Sequence, residues 1–151
     1  MSEFDPHQHV ENYKLLLSDN GELLPFCDAF VHSINIWHGD IRMEEGVCIG
    51  PEILVSLGLI EDVTGLPYTI LRIKFRECDQ VEMHGAGYGT PVIQDMKINV
   101  EERGFYKDGC TPLSPYLIVQ FLFDNSVPLL SFRCMSIAVI ARENPTGPPY
   151  A

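Results

Sequence analysis

A chain of 151 residues with a formal net charge of −11 is the right size for one domain with its own apolar core. Its charge has the wrong sign for gripping nucleic-acid phosphate. Hydrophobic residues make up 46% and charged residues 21%, the balance of a soluble globular protein, and apolar runs such as LIVQFLF (117 to 123) are too short to span a bilayer.

The opening residues MSEFDPHQHVENYK are acidic and polar, with neither the basic nor the apolar part of a signal peptide, so a cytoplasmic location is expected. A flexible tail is expected over residues 1–10. HVENYKLLLSD (9 to 19) fits a short helix or a short strand, and Asn20-Gly21 marks a turn. AFVHSINIW then alternates. Val31, Ser33, Asn35 and Trp37 fall on one face of a strand, and Phe30, His32, Ile34 and Ile36 on the other.

IRMEEGVCI (41 to 49) reads as a strand or a turn-rich link, and EILVSLGLI (52 to 60) as an apolar strand. YTILRIKFR (68 to 76) sets Tyr68, Ile70, Arg72, Lys74 and Arg76 against Thr69, Leu71, Ile73 and Phe75. QVEMH (80 to 84) is a short strand with Val81 and Met83 inward, and a further strand runs from about Gln94 to Glu101. GFYKDGCTPLSP (104 to 115) is a loop and YLIVQFLFD (116 to 124) a buried strand. PLLSFRCMSIAVIA (128 to 141) closes the core as one or two kinked strands, and a disordered Pro-rich tail is expected over 142–151. The expectation is an all-β, mainly antiparallel domain over 11–141, a sandwich or curled sheet of seven to nine short strands with little helix.

Chemistry is sparse. HGAGYGTP (84 to 91) is spaced GxGxG, not GxGxxG, and no GK[ST] or strand–helix–strand unit surrounds it. A bend between strands, with Tyr88 presented at its tip, accounts for it better than a phosphate cradle. His7 and His9 form an HxH pair on a loose segment, a poor metal site. His38 and Asp40 flank Gly39, where turn chemistry competes with half of an acid–base pair. The five cysteines are odd in number, scattered and without a CxxC, and they read as free thiols packed as small hydrophobes. No catalytic, cofactor or metal residues are assigned.

Charge is the stronger signal. Residues 1–62 hold 12 acids and 2 bases, whereas residues 63–151 hold 9 acids and 8 bases. Asp40, Glu44, Glu45, Glu52, Glu61 and Asp62 share one window opposed only by Arg42. Such a patch is either a solvated rim or a steering surface for a basic protein.

Three stretches carry a resemblance: PFCDAFVHSINI (25 to 36), LRIKFRECDQVEMHGAGYGTPVIQDMKI (71 to 98) and LSFRCMSIAVIA (130 to 141). Their order is similar to the immunity protein fifty family, small immunity proteins found with polymorphic bacterial toxins. The resemblance spans about residues 25 to 141 and implies an antiparallel β fold that neutralises a toxin by binding. The family pattern has His-Asp-Ala at the first strand entry where this chain has Cys27-Asp28-Ala29, and the glycine stretch is longer than the pattern. The resemblance implies no catalytic residues.

The reading is therefore a non-enzymatic protein that binds a basic partner, such as a toxin domain. Asp40, Glu44, Glu45, Glu61 and Asp62 supply charge, and Trp37 and Tyr88 supply anchors. It implies no cofactor, no nucleic acid and no membrane. The alternatives are a small-ligand-binding β-sandwich or barrel, an enzyme using His and Asp near turns, and a homo-oligomer pairing through an edge strand.

Overall fold

Strands that alternate apolar and polar residues bury one face each, and two such sheets stacked face to face make one core. The computed structural model describes residues 3–17, 21–24, 26, 28–42, 46–60, 68–84, 92–122 and 128–143. Its strands are β1 (Val10–Glu11), β2 (Ala29–Trp37), β3 (Asp40–Arg42), β4 (Val47–Ile49), β5 (Glu52–Ile60), β6 (Tyr68–Arg76), β7 (Asp79–Met83), β8 (Val92–Ile93), β9 (Asp95–Glu101), β10 (Tyr116–Leu122), β11 (Pro128–Cys134) and β12 (Ser136–Glu143). The large sheet runs β1-β12-β6-β5-β2-β8, the small sheet β7-β11-β10-β9, and β3 and β4 form a separate hairpin. Pairing is antiparallel throughout except between β1 and β12.

The fold is thus all-β and antiparallel, as expected, but with more strands than seven to nine. The surplus is short. β1 and β8 are two residues each, and IRMEEGVCI resolves into the β3–β4 hairpin.

Alternation holds where it is cleanest. On β6, Leu71, Ile73 and Phe75 are buried, while Arg72, Lys74 and Arg76 take the outer face. Ile53, Val55, Leu57 and Leu59 of β5 join them, and Leu117, Val119 and Phe121 of β10 with Leu130, Phe132 and Cys134 of β11 face them from the small sheet. Phe75 meets Phe132 edge-on at 4.8 Å and Phe121 at 6.1 Å. Such aromatic pairs contribute about 1 kcal/mol beyond the area they bury.

Among the described residues the chain passes from one sheet to the other at three junctions, at Glu77 and Cys78 between β6 and β7, at Gln94 and at Met135. Met135 separates β11 from β12 and donates its N–H to Arg76 O at 3.0 Å. Gln94 separates β8 from β9 and donates to Leu122 O at 2.6 Å. One strand pattern therefore serves both layers, which is why the closing segment carries a kink.

Two strand faces differ from the alternation in the sequence. Along β2, Val31 pairs with Leu57 but Ser33 pairs with Ser56, so His32 is the extra residue of a β-bulge. Val31 before the bulge and Ile34 after it therefore share the core side, although they fall on opposite faces by strict counting. On β7 every residue is exposed, Val81 at 39% and Met83 at 46%, and neither faces the core. Among the described residues β7 is the outermost strand of the small sheet, with β11 as its sole ladder neighbour.

The N-terminal segment lies along the β12 edge. Asp5 accepts the His7 N–H at 3.1 Å and caps the short helix Pro6–His9. Asn12, at φ 62°, donates from Nδ2 to Val139 O at 3.1 Å, and Arg142 donates to Leu17 O at 2.8 Å. Between these ties a 3-10 turn, Tyr13–Leu16, buries Leu16. Among the described residues no helix is long and apolar enough to cross a membrane.

Candidate functional site

Two of the seven residues expected to contact a partner lie within the described structure. Trp37 ends β2 with 47% of its surface exposed, and Asp40 begins β3, half-buried and engaged in an interaction of its own. Gly39, at φ 94°, makes the turn between them. Glycine, which has no Cβ, adopts that angle freely, whereas an L-residue would be strained there. Glu44, Glu45, Glu61, Asp62 and Tyr88 lie outside the described residues, as does most of the glycine stretch (85–91).

The side chains weighed for catalysis or metal binding are dispersed. His7 packs against Tyr13 at 4.5 Å between ring centres, and His9 stacks on Phe4 at 5.6 Å. His32 rests against Phe30 at 4.6 Å, and its pKa is lowered by partial burial and then by the charge of Arg72. His84 Nε2 approaches Glu82 Oε2 at 3.7 Å, both exposed. Cys78 donates its thiol to Phe75 O, and burial pushes its pKa up to about 12. Burial also raises the Cys134 thiol, helped by the nearby Cys78. Among the described residues no three His, Cys, Asp or Glu side chains gather as metal ligands would.

The basic side chains follow a pattern of their own. On the outer face of the large sheet Arg72 pairs with Glu143 at 3.3 Å, Lys74 with Glu52 at 3.8 Å and Arg76 with Glu11 at 3.2 Å. On the small sheet Arg133 grips Asp79 with two bonds, Nε to Oδ1 at 2.8 Å and Nη2 to Oδ2 at 2.5 Å. Its guanidinium also lies 3.8 Å from the centre of the Tyr116 ring, and Arg103 lies 4.6 Å from the same ring. Arg103 donates to Ser114 O, and Arg142 to Leu17 O. Six of the ten basic residues are thus held by internal partners, whereas Glu3, Glu22, Asp28, Glu77 and Glu82 are exposed carboxylates.

One concave feature of the described structure lies where the two sheets part. A cavity of about 590 Å³ opens between Met96 and Ile98 of β9 on one side and Ile73, Phe75 and Ile137 of the large sheet on the other. Phe4, Pro6, Val10 and Leu16 of the N-terminal segment and Leu23, Leu24 and Phe26 complete its wall, with Gln94, Asp95 and Leu122 at the β8–β9 crossing. Sequence reasoning missed these residues. They are ordinary apolar core types from distant segments, with no shared pattern in the sequence; in the structure Met96 and Ile98 are half-buried instead of sealed.

No family model, curated protein or solved structure matches the chain.

Proposed function

We propose that this chain is a non-enzymatic binding protein whose acidic exterior draws in a basic protein partner. The observation that carries this reading is the placement of charge. The net charge is −11, and most of the guanidinium and ammonium groups near the sheets already face a carboxylate or carbonyl of the same chain. The excess negative charge is therefore left to solvent, where it raises encounter rates with a cationic surface and suppresses encounter with an anionic one. Trp37, exposed beside the β2–β3 turn, supplies an anchor of the kind that holds a complex once formed. The resemblance to immunity protein fifty narrows the partner to a bacterial toxin domain, and a cytoplasmic site of action suits that role.

The test is association with the toxin domain encoded next to this chain in its own genome. Binding kinetics would be read at low and at high salt for the native protein and for a variant carrying Glu44→Gln, Glu45→Gln, Glu61→Gln and Asp62→Asn. The native on-rate should exceed the variant's by about tenfold or more at low salt, and the two should converge as salt screens the field. Equal on-rates with equal salt dependence reject the steering surface. Absence of binding, with no protection of cells that express the toxin, rejects the immunity role.

A further inference from the structure

We infer that Cys78 and Cys134 are an oxidisable pair, two facing thiols that close to a disulfide and lock β7 onto β11 at a corner between the two sheets. The register places them. Ser136 pairs with Arg76 in the large sheet, and Arg133 pairs with Asp79 in the small one. Both segments take the same number of steps between those pairs. The ladder therefore turns the corner without slipping, and Cys134 falls directly opposite Cys78. Both side chains are buried, Cys78 at 2% exposed and Cys134 at 0%. Next to them, Asp79 and Arg133 hold each other by two bonds on the outer face. The Cys78 N–H donates to Pro51 O at 2.8 Å and not across the corner. The facing pair is thus the open kind, in which opposed side chains stand closest. Opposed residues of antiparallel strands have Cα atoms about 4.5–5.5 Å apart, inside the range of about 4.4–6.8 Å that a disulfide spans. Burial is the larger cause of the raised Cys134 pKa, and the neighbouring Cys78 is the next.

In the dithiol form Cys78 Sγ donates to Phe75 O at 3.3 Å, and closure exchanges that bond for the S–S bond. The oxidant is a small-molecule disulfide such as glutathione disulfide. One cysteine loses its proton, its thiolate attacks a glutathione sulfur, and the first glutathione leaves and takes up a proton. The second cysteine, deprotonated in turn, attacks the protein sulfur of the mixed disulfide and expels the second glutathione, which is likewise protonated. The two cysteines lose two electrons and two protons, and one glutathione disulfide gains them. Burial keeps both thiols protonated and sealed while the sheets are closed. Exchange therefore proceeds when β7 frays from β11. Every residue of β7 is exposed, and among the described residues β11 is its one ladder partner, so this strand opens at low cost. Its return brings the second thiol to the mixed disulfide at high effective concentration. The pair is separate from the acidic exterior proposed to meet a protein partner, and either can fail without the other.

The experiment uses the full chain, first reduced and then held at length with glutathione disulfide. Remaining thiols are alkylated in denaturant, and the peptides are mapped without reduction by mass spectrometry. The expected result is a bond from Cys78 to Cys134, with glutathione on Cys110, the exposed thiol. The oxidised protein should unfold about 5–10 °C above the reduced one, as a cross-link restricts the unfolded chain. Hydrogen exchange at the β7 amides should slow by about tenfold or more. Dithiothreitol should reverse both changes. In Cys134→Ala the oxidant should leave the unfolding temperature where it was, which separates the cross-link from glutathione on Cys110. A bond mapped to another cysteine overturns the inference. So does glutathione left on Cys78 or Cys134 with no bond between them, or both thiols still free once Cys110 is fully modified. Should Cys134→Ala fail to fold, the map of the native chain still decides.

Discussion

The far edge of the Phe30 ring occupies the space that a side chain on Gly58 would need. A Cβ at Gly58 would stand 2.1 Å from Phe30 Cζ and 2.3 Å from Cε1, and these two residues are paired across β2 and β5. Phe30 is 1% exposed, so its ring has no open space into which to retreat. Glycine within a strand ordinarily weakens it. Here it makes room for an aromatic ring on the outer face of the large sheet.

Gly58→Ala should therefore destabilise the protein by about 2 kcal/mol, the usual result of overpacking a filled site. The check is a double-mutant cycle by denaturant unfolding. In a Phe30→Leu background the same Gly58→Ala change should cost much less, because the conflicting ring is gone. Equal costs in both backgrounds would show that the contact does not govern the site.

The bulge on β2 makes a second prediction. With His32 removed, Phe30 stays opposite Gly58 and Val31 opposite Leu57, and Ser33 follows directly opposite Ser56. The register on both sides survives, so deleting His32 should cost less stability than deleting the core residue before it. Deleting Val31 instead would bring His32 into the core position opposite Leu57, with a loss of about 2–3 kcal/mol for the buried apolar group. Thermal unfolding of the two deletion variants should rank them in that order.

What the sequence disclosed and what it concealed follow from the same physics. β6 was legible because it lies between two ladder partners and under the opposing sheet, so Arg72, Lys74 and Arg76 had only one face to take. β7 has a similar alternation but sits at an edge, where no opposing layer covers Val81 and Met83. Alternation marks a strand and does not say whether anything lies across from it. His32 hid the true faces of β2, because a bulge leaves no mark in a period-two count. Trp37 could be picked out as a large exposed aromatic, whereas the lining of the cavity could not. Phe4, Ile73, Met96 and Ile137 come from four distant segments, and only the parting of two sheets brings them to one space.

Thiol chemistry should separate the cysteines by burial. Cys110 is exposed, whereas Cys78 and Cys134 are buried with raised pKa values. The thiolate is the reactive form, and burial withholds both it and the reagent. Iodoacetamide at neutral pH should label Cys110 in the native protein and reach Cys78 and Cys134 only in denaturant, as peptide mapping by mass spectrometry would show. Native labelling of Cys78 or Cys134 at the rate of Cys110 would contradict the packing of the β6–β7 turn and of β11.

The pH dependence of stability should fall in two separate windows. His32 has a pKa below its ordinary value of about 6.5, because partial burial and the neighbouring Arg72 disfavour the imidazolium. An unfolded chain therefore takes up that proton first. Stability is full above about pH 6.5 and declines as pH falls through the lower folded value. Asp79 is held below the usual carboxylate range by its bonds to Arg133, so its contribution is present above about pH 3.9 and is lost as pH falls through its folded value. Both groups are largely exposed, which keeps each effect small. Site-resolved NMR titration is the direct measure. The His32 ring should titrate below the ordinary histidine range, and Arg72→Met should move it part of the way back, since Arg72 is the lesser of its two causes. Arg133→Met should return the Asp79 carboxyl to the ordinary range, since its bonds to Arg133 are the dominant cause there. An Asp79 titration unmoved by Arg133→Met would mean that the two-pronged contact does not form in solution.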